Sequence, residues 1–120
     1  MTTPDFKATW ALWDKAWDLD IPTSRRLEIL KQCAVPDFTY TNPQFELVGD
    51  LEALARYIDH ALEATGNKLS VKHKEWFSQH NRSALHWDMD DITTSTAAMH
   101  GWSYGQYDVD GRLLCVADFW

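Results

Sequence analysis

The sequence predicts an α+β domain in which a curved antiparallel sheet wraps over three N-terminal helices. Helical periodicity runs through the first half of the chain and stops at Gly66-Asn67. After Asn67 the residues read as strands separated by turn signals. At 120 residues the chain is long enough for one core and too short for two, so residues 1–120 form a single domain.

Taken in order, Thr3 can cap a first helix that carries Pro4 at its first position. Phe6, Trp10, Trp13 and Trp17 then fall on one helical face. Asp18-Leu19-Asp20-Ile21-Pro22 breaks the helix. Thr23 is positioned to cap a second one, whose apolar residues are Leu27, Ile29, Leu30 and Cys33, and Val35-Pro36 ends it. Phe38-Thr39-Tyr40-Thr41 alternates as a short strand and is closed by Asn42-Pro43. Asp50 caps a third helix with a buried stripe of Leu54, Tyr57, Ile58, Ala61 and Leu62, stopped by Gly66. Four strands follow: Leu69 to Ser78, Ser83 to Asp90, Thr96 to Tyr107 and Leu113 to Trp120. The last two are joined through Asp110-Gly111, a strong hairpin signal in which both turn residues are expected at positive φ. Long antiparallel strands with helices on one face should curl around them.

Composition narrows the function. Eighteen acids against eleven Lys and Arg give a net charge of −7, which opposes phosphate backbones and anionic membranes. No apolar run reaches the roughly 20 residues of a membrane span. The opening Met1-Thr2-Thr3-Pro4-Asp5 lacks the pattern of a secretory signal, so the cytoplasm is the expected address. Cys33 and Cys115 are too few for a disulfide framework and read as free thiols. Neither a His-Glu-x-x-His motif nor a Gly-rich phosphate loop is present, so no cofactor or metal is expected. Asp108-Val109-Asp110-Gly111 lacks the closing Glu of a calcium loop and reads as a turn. Seven tryptophans in so short a chain must fill the core, line a cavity, or both.

Several segments, in this order, resemble the nuclear transport factor 2-like superfamily and within it the SnoaL-like group. They are the aromatic first helix ending in Trp17-Asp18, the stretch from Pro36 to Pro43, Gly49-Asp50-Leu51, Gly101-Trp102-Ser103, Asp110-Gly111-Arg112-Leu113 and the closing Asp118-Phe119-Trp120. The resemblance implies a cystatin-like cone with a pocket between sheet and helices, and often a homodimer. It does not fix an activity, since the superfamily holds isomerases, hydrolases, cyclases and non-catalytic binders. Steroid-isomerase chemistry is disfavoured: the base position falls on Asn42, the tyrosine on Trp13 and the oxyanion aspartate on Ser103. A limonene-epoxide hydrolase-like reading is a closer partial match. Tyr40 and Asn42 have the spacing of that group's water-holding pair, and Asp118 matches its base. Its Asp/Arg pair falls here on Asp88 and His86, and His is a weaker bridge than Arg.

Asp118 is the most informative residue, a carboxylate in an otherwise apolar final strand. Facing inward with Val116 and Trp120, it would have its pKa raised by desolvation and become the leading acid/base candidate, with Tyr40 and Asn42 beside it. Trp13, Trp17, Trp87 and Trp120 fall where the superfamily's pockets lie, which implies a small apolar or aromatic ligand. His73 and Ser103 supply further polar contacts. Strand parity leaves two registers open for residues 83–90: Leu85, Trp87 and Met89 inward, or His86 and Asp88 inward, and the apolar set is the expected one. Trp76, Trp102 and Tyr104 share the parity of the convex face, where an aromatic patch would promote dimerisation. The residues thus allow a cofactor-independent acid/base enzyme, a non-catalytic binding or dimerising module, or the hydrolase.

Overall fold

The computed structural model describes residues 6–120, so the expected Thr3 cap and Pro4 start lie outside the described residues. Helix α1 spans Phe6–Ala16 and buries Trp10, Trp13 and Ala16. Helix α2 spans Thr23–Cys33 and takes Pro22, with no side-chain hydrogen bond, as its cap. Thr23 does not cap it; its hydroxyl donates to Asp59 instead. Helix α3 spans Leu51–Ala64, and the Asp50 carboxylate accepts from the Ala53 N–H at 2.9 Å, as expected of an N-cap. Its buried Leu54, Ile58 and Leu62 contribute about 1.5–3 kcal/mol each.

One buried guanidinium ties these helices together. Arg26 on α2 donates to Asp59 of α3 at 3.1 Å, to the carbonyl of Ala16 at the end of α1, and to those of Asp18 and Ile21 beyond it. It thereby satisfies carbonyls that the end of α1 leaves open, in a place that water does not reach.

Six strands form one open sheet in the order β2-β1-β6-β5-β4-β3. They are β1 (Ala34–Thr41), β2 (Glu46–Val48), β3 (Leu69–Gln79), β4 (Arg82–Asp91), β5 (Thr96–Tyr107) and β6 (Leu113–Phe119). Two corrections to the expected sheet follow. It is mixed, because β1 runs parallel to β6 while the other pairs are antiparallel. It also has an extra three-residue strand, β2, folded onto β1 by Asn42, whose side-chain Oδ1 accepts from the backbone N–H of Gln44 (2.8 Å) and Phe45 (3.1 Å). Strand β1 starts directly after α2 rather than at Phe38. Pro36 is tolerated there because the β1–β6 register is broken between Ala34 and Thr39.

Strand β4 resolves its register: Leu85, Trp87 and Met89 are buried, and His86 and Asp88 lie on the outer face, where Lys74 sits 3.4 Å from Asp88. A bulge between His73 and Glu75 re-phases β3, so Trp76 pairs with inward Leu85 and Phe77 takes the outer position expected of Trp76. The β5–β6 turn also differs from a two-residue hairpin. Asp108 accepts from Asp110 and Arg112, both at 2.9 Å, and of the turn's residues only Gly111 has positive φ, at 84°.

The closed end of the cone is aromatic. Phe6 stacks on Tyr107 at 3.8 Å, the Trp10 indole donates to Ser83, and Thr9 donates to the Gly111 carbonyl at 2.6 Å. Two glycines of β5 let indoles lie against the concave face, one at this end and one at the cavity. A Cβ on Gly105 would lie 2.7 Å from the Trp10 ring, and one on Gly101 would lie 2.5 Å from the Trp87 ring. The opposite end is left open.

Candidate functional site

The open end holds a cavity of about 260 Å³ between the concave sheet face and the helices. Helix α1 contributes Trp13, Asp14 and Trp17, and α3 contributes Tyr57. From the sheet come Val71 and His73 on β3, Trp87 and Met89 on β4, Met99 and Ser103 on β5 and Asp118 on β6, with Trp120 at the rim. The walls are mainly apolar, with a few converging polar groups, as small-ligand pockets generally are.

Asp118 faces this cavity and is only 6% exposed. Ser103, directly opposite it in the β5–β6 ladder, donates to one carboxylate oxygen, and the Tyr40 hydroxyl donates to the other at 2.7 Å. Burial pushes the carboxyl up from 3.8 to about 6, against the two hydrogen bonds and the nearby His73, which pull it down. Desolvation therefore wins. The same burial, with the Asp118 charge and its hydrogen bond, drives the Tyr40 phenol far above its ordinary range, so Tyr40 stays protonated as a donor. Tyr57 is raised as well, by burial and by Asp118.

The expected residues are sorted by the geometry. Asp118, Ser103, His73, Trp13, Trp17, Trp87 and Trp120 line one cavity. Tyr40 is fully buried behind Asp118 and reaches the site through the carboxylate. Asn42 stands apart from the cavity wall: its oxygen closes the β1–β2 turn, and its amide nitrogen donates to Tyr57 at 3.2 Å. Asp88 and His86 face outward on β4, away from Asp118 and the cavity. Among the described residues no cluster of three or more His, Cys, Asp or Glu could hold a metal.

Two participants were not picked out from the sequence. Tyr57 falls on the core stripe of α3, and being the one phenol among its aliphatic residues is the signal that could have found it. Asp14, between the tryptophans of α1, has Oδ1 2.9 Å from His73 Nε2, yet that buried oxygen has no aligned hydrogen-bond donor. The indole N–H groups of Trp17 and Trp87, both on cavity-lining residues, are buried with no acceptor. An unsatisfied buried donor costs about 1–3 kcal/mol, so an acceptor brought into the cavity would relieve that cost.

No protein-family profile and no curated protein sequence matches the chain. Solved structures do. A provisionally named isomerase of the SnoaL-like family from Agrobacterium tumefaciens superposes with a TM-score of 0.82 at 16% identity, over 94% of both chains. A provisionally named polyketide cyclase from Sinorhizobium meliloti gives 0.70 at 12% identity, covering 92% of this chain and 93% of that one. A de novo designed NTF2 fold protein gives 0.70 at 9% identity, covering 100% and 87%. These likenesses establish the fold, shared with SnoaL-like and nuclear transport factor 2-like proteins.

Proposed function

We propose that the protein is a cofactor-independent acid/base enzyme acting on a small apolar or aromatic ligand, with Asp118 as the proton-transfer group. One observation carries this reading: a hydrogen-bonded carboxyl, lifted by burial to about 6, sits on the wall of an aromatic cavity. A carboxyl titrating there is close to the operating pH of a general acid or base, where such groups work best. Tyr40 and Ser103 hold its two oxygens, so it meets a ligand in one orientation. The buried indole donors of Trp17 and Trp87 suit a ligand that carries an oxygen acceptor on its apolar body. The isomerase and cyclase names of two structural neighbours are compatible with proton transfer at carbon.

The test is α-proton exchange of 2-tetralone in deuterated buffer, followed by proton NMR. Wild-type protein should accelerate exchange over buffer and Asp118→Asn should not, while both still bind the ketone by tryptophan quenching. Binding without exchange in the wild type would leave the non-catalytic binding module as the function.

A second reading concerns assembly. Phe77 (57% exposed), Trp102 (41%) and Phe119 (59%) gather on the outer sheet face, with His86 stacked on Trp102 at 4.8 Å. We infer a homodimer through that face, and Trp102→Glu should shift sedimentation from two copies to one. Free cysteines at positions 33 and 115 suit a reducing compartment such as the cytoplasm. Among the described residues no helix is long and apolar enough to cross a membrane.

A further inference from the structure

We propose that the cavity takes a neutral amide carried on an apolar ring, whose oxygen accepts from the indole N–H groups of Trp17 and Trp87 and whose N–H donates to Asp14. This rests on the cavity being a ligand site, as in the reading above, and needs no proton transfer. Among the described residues three buried side-chain polar atoms lack a hydrogen-bond partner in the protein: Trp17 Nε1, Trp87 Nε1 and Asp14 Oδ1. All three belong to residues that line this cavity. Trp10 gives the contrast, since at the closed end its indole N–H is taken up by Ser83.

The fold makes the three atoms neighbours. At the end of α1 the Trp17 backbone N–H donates to the Asp14 carbonyl at 2.9 Å. Asp14 Oδ1 lies 2.9 Å from His73 Nε2, and His73 is paired with Trp87 across the β3–β4 ladder. The indoles are also held in place. Trp87, 6% exposed, rests on the bare backbone of Gly101 and meets Trp120 with ring centroids 6.4 Å apart. Trp17 meets the Tyr57 ring at 83°, with centroids 6.3 Å apart. Donors fixed before a ligand arrives cost little ordering on binding.

The ligand class follows from what each group can donate and accept. A hydrocarbon leaves all three atoms unpaired. A ketone accepts from the indoles but offers Asp14 nothing. A carboxylate also only accepts, and it brings negative charge to a wall that already carries Asp14 and Asp118. An ammonium pairs with Asp14 and leaves both indole donors unmet. A hydroxyl must meet donors and acceptor from one oxygen. A primary amide has two lone pairs on its oxygen, N–H donors on its nitrogen and no charge.

The test uses wild-type protein with nitrogen-15 in its indoles, so no variant has to fold for the main result. Proton–nitrogen NMR at neutral pH follows the indole signals as 2-naphthamide is added, with 2-methylnaphthalene as the reference for the ring alone. The amide should move the Trp17 and Trp87 signals downfield of their positions with the reference, and leave the Trp10 signal unmoved. By calorimetry 2-naphthamide should bind at least about tenfold tighter than 2-acetonaphthone, 2-naphthoate, 2-naphthalenemethanol or 2-naphthylmethylammonium. Trp87→Phe should narrow the gap between amide and reference about tenfold, and Asp14→Ala should bring the amide level with the ketone. If the reference binds and the amide moves the two signals no further, or another member of the series binds more tightly, the amide assignment falls and the cavity remains a ligand site. If no probe binds, the ligand reading of the cavity falls and the proposal with it; the exchange test of Asp118 decides the acid/base reading separately.

Discussion

Replacing Asp118 with asparagine should stabilise the folded protein, and only above about pH 4. In the folded state the carboxyl holds its proton up to about pH 6, whereas the unfolded chain releases it near 3.8. Below 3.8 both states are protonated and the group contributes nothing to the pH dependence. Between 3.8 and 6 the unfolded state ionises first, so stability falls as pH rises, and above 6 the loss is complete. At 1.36 kcal/mol per unit, the gap between 3.8 and about 6 amounts to about 3 kcal/mol. Asparagine cannot ionise and escapes this loss. It also disturbs the hydrogen bonds from Tyr40 and Ser103, although each hydroxyl can accept from the new amide by rotating its proton. That disturbance costs about 1 kcal/mol and is independent of pH, so it cancels when two pH values are compared. Urea unfolding at pH 4 and pH 8, at fixed ionic strength and followed by tryptophan fluorescence, measures the difference between the two proteins. The unfolded carboxyl is already partly ionised at pH 4, so the variant should gain about 2.4 kcal/mol relative to wild type between those pH values. A gap that stays constant with pH would refute a desolvated Asp118 and remove the basis of the acid/base reading. Gained stability with lost activity is the expected signature of a group kept for function.

Other outcomes follow from the packing. Gly101→Ala should destabilise by about 1–3 kcal/mol, because the added carbon meets both the Trp87 ring and the Phe119 carbonyl; urea midpoints would show it. Arg26→Met should cost about 3–5 kcal/mol, since it leaves Asp59 and the carbonyls at and beyond the end of α1 without their partner; a loss under 1 kcal/mol would show that the tie is dispensable. Cys33 is 1% exposed and its thiol is pushed up to about 12, so Ellman's reagent at pH 8 should label Cys33 only in denaturant, while half-buried Cys115 reacts first.

Much of this architecture is legible in the residues. The Asp50 cap, the Gly66 stop and the alternation of Leu85, Trp87 and Met89 each state a local physical preference that tertiary packing then respects. Asp118 stands out because a carboxylate in a run of apolar strand residues has no local reason to be there. What could not be read depends on partners distant in sequence. The bulge after His73 shifts strand parity without a Gly or Pro to mark it, and so exchanges Trp76 for Phe77 on the outer face. Strand β2 is three residues long and exists through the Asn42 turn. Asp14 reads as an ordinary polar helix position until β3 brings His73 to it.

Gly101 and Gly105 stand on the same face of β5, each with an indole lying against bare main chain. Where the two rings rest, the floor of the cone is therefore peptide backbone, which cannot be trimmed or thickened by a point change without moving strands. The rings above are side chains and can be exchanged one at a time. A lineage carrying this chain could widen the hollow for a bulkier guest in a single step, by giving up Trp87, whereas narrowing it from below would strain the strands themselves.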